Sequence, residues 1–237
     1  MSSTRPRRRL RSLLITLVVL AGLAFAADRV AESIAEDRVA AIAQREAAQY
    51  DVQASDTSVE VAGLAFLPQL ARGEFDRITL TMRDPVVSSV PAEDLTVVMT
   101  GIDVPREALT GGTSAAVRAN AADLRLRVSP DAIAKLAARS GLNGLTLRIA
   151  DGELQARIAI RGFEAAATVQ PQTENGRIKL VVDNDAPAAV RKAVNSLLAR
   201  GIPLPRLPFG TTLQRIGVDG QSVLLTATAT NLDLATP

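Results

Sequence analysis

The sequence of 237 residues contains no histidine and no cysteine. That removes the commonest general base, the thiol nucleophile, and zinc, haem or iron–sulfur ligation by those side chains. No G-x-S-x-G elbow, S-x-x-K pair, Walker loop or G-x-G-x-x-G occurs. Carboxylate chemistry is what remains to an enzyme, and the acids that could serve it, Asp76, Asp84 and Glu93, stand at no spacing that pairs them. Asp28, Glu32 and Glu36 follow an i, i+4 rhythm, which reads as a cation site or a solvated helix face, and the solvated face is the expectation. Asp183-Asn184-Asp185 opens like a calcium loop but lacks the downstream glutamate. It reads as a turn and helix cap before Pro187. No catalytic residue, metal or cofactor is expected.

Charge narrows the partners. The formal charge is +2, but Arg5, Arg7, Arg8, Arg9 and Arg11 precede every acid. Without them 22 basic residues face 25 acidic ones, a charge of −3 for the remainder. A basic nucleic-acid surface is therefore not supported. Lacking cysteine, the chain has no disulfides, so an oxidising compartment is permitted and not required.

Behind the arginines, which read as a flexible basic stretch, runs an apolar segment, Leu13–Ala27. As a helix its fifteen residues reach about 22 Å, short of a hydrocarbon core of about 30 Å. Ala24-Phe25-Ala26 supplies an A-x-A cleavage pattern. Residues 1–27 thus read either as a signal peptide or as an uncleaved transmembrane anchor, and either places residues 28–237, one domain, outside the cytoplasmic membrane. Asp28–Tyr50 predicts a separate helix, with Ala31, Ile34, Ala35, Val39, Ile42 and Ala43 as its packing stripe.

The rest of the chain is organised around residues 59–84. Val59 and Val61 begin an alternating strand that breaks at Gly63. An apolar corner, Leu64 to Pro68, leads through Gln69-Leu70-Ala71-Arg72-Gly73 to a second strand. There Phe75 is followed by Ile78, Leu80 and Met82 on one face and Arg77, Thr79, Thr81 and Arg83 on the other. Further strands follow at 94–104, 115–129, 145–149, 154–160, 165–169, 178–182, and two around Asp219-Gly220, with fraying after Asn231. Residues 85–92, 106–113 and 203–210 read as loops or turns, and helices are predicted at 130–139 and 188–200.

The pattern G-x-x-F-L-x-Q-x-x-x-G, here Gly63, Phe66, Leu67, Gln69 and Gly73, lies between two alternating strands. With Leu204-Pro205-Arg206-Leu207-Pro208-Phe209-Gly210 and the N-terminal apolar segment, it resembles the LmeA-like phospholipid-binding family of bacterial cell-envelope proteins. The resemblance spans nearly the whole chain. It implies phospholipid and membrane as partners, a periplasmic location, and a fold similar to the tubular modules of the bactericidal/permeability-increasing type.

From the residues themselves the class is α+β. Strands apolar on one face and polar on the other form antiparallel sheets with one wet face. A long curved sheet wrapped around one or two helices, behind the N-terminal apolar helix, would cover the other. The aliphatic inner face leaves two readings open: a packed core, or a groove for acyl chains. Lipid contacts are then expected at Phe66, Leu67, Leu70, Phe75, Ile78, Leu80, Met82, Met99, Leu207 and Phe209, with Arg72, Arg77 and Arg83 as headgroup candidates. Holding or transferring lipid is the first functional expectation. A lipid-free module supporting an envelope enzyme, with a protein partner, is the alternative, and a carboxylate hydrolase is the third.

Overall fold

The structure, a computed structural model, describes residues 6–49, 51–63, 65–87, 89–105, 117–160, 163–174, 177–183, 201–203 and 212–234, with the isolated positions 188, 192 and 195. The expected helix at 188–200, the turn at 106–113, most of the loop at 203–210, and with it Leu207 and Phe209, lie outside the described residues.

The chain begins in one long helix, α1 (Pro6–Gln49). This corrects two expectations: residues 6–11 are helical rather than flexible, and no break separates the apolar run from the helix after Asp28. Leu, Ala and Arg dominate the first half and Ala, Glu and Arg the second, so nothing in local propensity stops the helix between them. The transmembrane helix expected here is not found, since among the described residues no helix is long and apolar enough to cross a membrane.

After α1 come β1 (Val52–Gln53), β2 (Asp56–Ala62), α2 (Phe66–Arg72), β3 (Glu74–Arg83), β4 (Val86–Val87), β5 (Val90–Pro91) and β6 (Asp94–Asp103). β7 (Val117–Val128), α3 (Pro130–Arg139), β8 (Leu145–Ala150), β9 (Glu153–Ile160) and β10 (Phe163–Glu174) follow. The chain closes with β11 (Arg177–Val182), β12 (Ile202–Pro203), β13 (Thr212–Asp219) and β14 (Ser222–Leu234). Three antiparallel sheets result. Six strands run in the order β13-β14-β7-β6-β3-β2, five in the order β12-β11-β10-β9-β8, and β1, β4 and β5 make a small third sheet. The α+β antiparallel class is as expected, and the sheets stay open at their edges.

Some local expectations change. The apolar corner is a two-turn helix, α2, capped by Gly73 at φ 75°. Residues 85–92 contain the β4–β5 hairpin, which pairs with β1. β10 continues through Pro171, where the β9 ladder has already ended at Val169, so the missing N–H meets no partner strand. β14 does not fray after Asn231: Leu232 pairs with Ala119 and Leu234 with Val117. The helix α3 forms as predicted, with the Ser129 hydroxyl accepting the Ala132 N–H at 3.2 Å.

The five- and six-stranded sheets share one core. Ile158, Ile178 and Leu180 of the first cluster with Leu124, Val223 and Leu225 of the second, and α3 contributes Ile133 and Ala137. Along the six-stranded sheet the alternation slips by one residue in a single transverse row. Ile78, Met99, Ala122 and Ala229 are in register across β3, β6, β7 and β14. The next row to turn inward is Phe75, Ile102, Ala119 and Leu232, three residues away rather than two. Between them Gly101 (φ 59°) and Asn231 (φ 52°) take left-handed backbone on alternate strands. A Cβ on Gly101 would lie 2.3 Å from Asn120 Nδ2, so a larger residue there would have to displace the Asn120 side chain as well as adopt a backbone that favours glycine. The row bends the sheet and divides its dry face into two apolar territories.

Candidate functional site

The smaller territory is closed by the β2–α2–β3 corner. Gln69 is 5 % exposed and holds it from within. Its Nε2 donates to Ala62 O at 3.3 Å and Ala65 O at 3.2 Å, while its Oε1 accepts the Asp76 N–H at 3.2 Å. Gly63, at φ 147°, leaves that amide its room, because a Cβ there would sit 2.2 Å from Nε2. Gly73 approaches Val104 as closely, its absent Cβ falling 2.4 Å from Val104 O. The G-x-x-F-L-x-Q-x-x-x-G pattern thus specifies a corner and carries no reactive group.

Phe66 points inward from that corner and is 4 % exposed, its ring centroid 6.0 Å from that of Phe75. Val61, Ile102 and Ala119 complete the buried cluster, and Leu70, Ile78, Met99 and Leu232 pack against it half-buried. Of the ten apolar residues expected to meet lipid, Phe66, Leu70, Phe75, Ile78 and Met99 are therefore gathered here. Met82, 2 % exposed, belongs to the larger core, with Leu80 packed against it half-buried. Met99 touches both clusters. Leu67 stands apart from both, 40 % exposed at the outer surface of α2.

The strip between the clusters is only partly covered. Ile78 and Leu80 on β3 and Met99 on β6 are half-buried, although their neighbours Met82, Val97 and Leu124 are fully buried. Ile78 pairs directly with Met99 and Leu80 with Val97, so these side chains form one continuous apolar surface.

Arg72, Arg77 and Arg83 are all exposed. Arg72 ends α2, beside the small cluster. Arg77 and Arg83 alternate with Ile78 and Met82 and project from the wet face. Arg83 there lines a polar depression with Asp84, Glu93, Asp94, Arg125 and Arg127. Arg127 pairs with Asp94 at 2.6 Å and with Asp219 at 3.7 Å, so this depression suits ions better than acyl chains. Asp84 and Glu93 meet in it while Asp76 lies at the far end of β3, which leaves the three acids without a common site. Among the described residues no group of three acids could hold a metal ion.

The acidic rhythm of α1 has the opposite meaning to the one expected. Asp28 and Glu32 are buried. Asp28 accepts the N–H of Phe66 at 2.9 Å and of Leu67 at 2.7 Å, occupying the open donors at the start of α2. Glu36 accepts the Val61 N–H at 2.8 Å on the edge strand β2. These bonds turn the acidic and Ala31/Ala35 face toward the sheet and leave Ile34, Val39 and Ile42 of the expected packing stripe exposed. The two N–H groups, Leu67 first, hold the Asp28 carboxyl below its ordinary value of 3.8, against the opposing effect of burial.

Sequence reasoning missed the sheet bend and the α1 latch. The bend left a signal: the i, i+3 apolar spacing at Phe75/Ile78, Met99/Ile102, Ala119/Ala122 and Ala229/Leu232. Asp28 and Glu36 left none beyond their helical spacing, because their partners are backbone groups far along the chain.

Neither curated proteins nor solved structures give a match to this chain. A family model does, across residues 26–228, beginning two positions before the Asp28 latch and covering every element up to the middle of β14. The chain belongs to the LmeA-like phospholipid-binding family.

Proposed function

We propose that the chain holds phospholipid with an acyl chain laid along the half-buried strip of Ile78, Leu80 and Met99, between the two apolar clusters, and carries it outside the cytoplasmic membrane. The observation that supports this is the partial exposure of those three residues beside Met82, Val97 and Leu124, which are fully buried on the same face. Burying ten methylenes there contributes about 8 kcal/mol, at about 0.8 kcal/mol each. That corresponds to micromolar affinity before any headgroup contact. Arg72 is the headgroup partner of choice, since it is the arginine on the corner beside the strip.

The chemistry we read is binding rather than catalysis: the family is one of phospholipid binders, and on the wet face Arg127 is engaged with Asp94 and Asp219 and Arg118 with Asp233. Export fits the basic, apolar start of the chain. Organic extraction of the purified full-length protein followed by mass spectrometry tests the reading. Phospholipid at near-equal stoichiometry is expected. Protein that returns no lipid, and takes none up from vesicles, favours the alternative of a lipid-free module with a filled core, for which the fully buried larger cluster is the supporting observation.

A further inference from the structure

From Thr16 to Ala27 every residue of α1 is exposed, and burial begins abruptly at Asp28. The exposed stretch includes Leu17, Val18, Val19, Leu20, Leu23 and Phe25, each more than half exposed. At about 100° per residue these side chains point in all directions around the helix. A flat protein surface covers one side of such a helix, whereas lipid covers all of it. The occupant that fits is the acyl region of a phospholipid layer.

Asp28 fixes what else lies at that level. Its carboxylate holds the N–H of Leu67 at 2.7 Å, so the first turn of α2 sits where α1 passes from free to packed. Leu67 is 40 % exposed there, and Pro68 beside it is exposed too. Arg29 lies over the Phe25 ring at 5.2 Å and pairs with Glu32 at 2.6 Å. A cation sharing an aromatic face is suited to the depth of lipid phosphates.

We infer that the β2–α2–β3 corner is the membrane-docking end of the molecule. Leu67 and Pro68 enter the same lipid surface as residues 16–27, and the Phe66–Phe75 pair behind them is the end of the strip that faces the bilayer. This rests on the phospholipid-binding reading above and adds an orientation to it.

The absence of cysteine makes the test clean. Leu67→Cys and Gln221→Cys in the full chain each take one environment-sensitive fluorophore. Gln221 is in the exposed turn between β13 and β14, about 30 Å along the sheet from α2 at about 3.3 Å per residue. Vesicles of phosphatidylethanolamine and phosphatidylglycerol containing doxyl-labelled lipid serve as the probe. In vesicle-bound protein the fluorophore at 67 is expected to shift blue and be quenched, and that at 221 to do neither. Leu67→Asp is expected to weaken vesicle partitioning about tenfold, equivalent to about 1.4 kcal/mol, with the melting temperature unchanged. Bound protein quenched at 221 and not at 67 overturns the orientation. So does a blue shift at 67 that grows with protein concentration in the absence of vesicles, which would indicate a second copy of the chain. A protein that yields extractable lipid yet ignores vesicles loses the docking end alone; one that does neither loses the binding reading as well.

Discussion

Asp28 and Leu67 lie 39 positions apart in sequence and are joined by a hydrogen bond of 2.7 Å from the Leu67 N–H to the Asp28 carboxylate. With the parallel bond from Phe66, it supplies from α1 the cap that α2 lacks, since Ala65 at the N-cap position has no side-chain acceptor. The carboxyl is held below its ordinary value of 3.8 by these donors. A group shifted downward stabilises the fold above its unfolded pKa and loses that contribution as pH falls through the folded value. Asp28→Asn is therefore expected to melt below the parent at neutral pH, and the gap to close below about pH 4. Melting curves across that range check it; a gap that persists unchanged into acid would mean that the charge is not the stabilising feature.

Phe66 and Leu67 are neighbours with opposite environments. Phe66→Ala removes a ring from a cluster in which it is 4 % exposed, and should cost about 3–5 kcal/mol. Leu67→Ala, at an exposed position, should stay within about 0.5 kcal/mol. Urea unfolding of the two variants separates them. Equal losses would show that α2 sits deeper than its exposure indicates.

The contact between Gly63 and Gln69 is steric, so it should appear as coupling. Gln69→Ala strands buried backbone partners and should cost about 1–3 kcal/mol. Gly63→Ala drives a Cβ to 2.2 Å from the Gln69 amide. In the double variant that clash is gone, and only the backbone strain at φ 147° remains. The double variant should thus be more stable than the sum of the singles by more than about 0.5 kcal/mol in a double-mutant cycle. Simple additivity would place the cost of Gly63→Ala in the backbone alone.

Much of this was legible in the sequence. Period-two alternation located β3, β6, β7, β8, β9 and β11, because a sheet with one wet face writes its burial into every second residue. Ser129-Pro130 and Asp151-Gly152 marked a helix start and a hairpin turn by local chemistry alone. The apolar residues on the strip, Ile78, Leu80 and Met99, were legible for the same reason. What escaped depends on distant partners. The acids of α1 look solvated until the backbone N–H groups of Val61, Phe66 and Leu67 are brought to them. The wet-face placement of Arg77 and Arg83 was written in their alternation with Ile78 and Met82. The bend at Gly101 and Asn231 becomes visible only when four strands are set in register.

The strip itself can be filled. Met99 is half-buried between the two clusters and pairs with Ile78 across the ladder. Because Met99 is only partly buried, an indole at that position is expected to occupy the space proposed for the acyl chain. Met99→Trp should accordingly keep the fold, with a stability change within the roughly 1–3 kcal/mol typical of an enlarged side chain. Co-purified phospholipid, measured by extraction and mass spectrometry, should fall at least about tenfold, the effect of losing about 1.4 kcal/mol of contact. Arg83→Ala, on the wet face, should leave bound lipid unchanged in the same assay. If Met99→Trp retains lipid at the parental level while Arg83→Ala loses it, the acyl chain does not lie on the dry face, and the polar depression around Arg83 becomes the place to look.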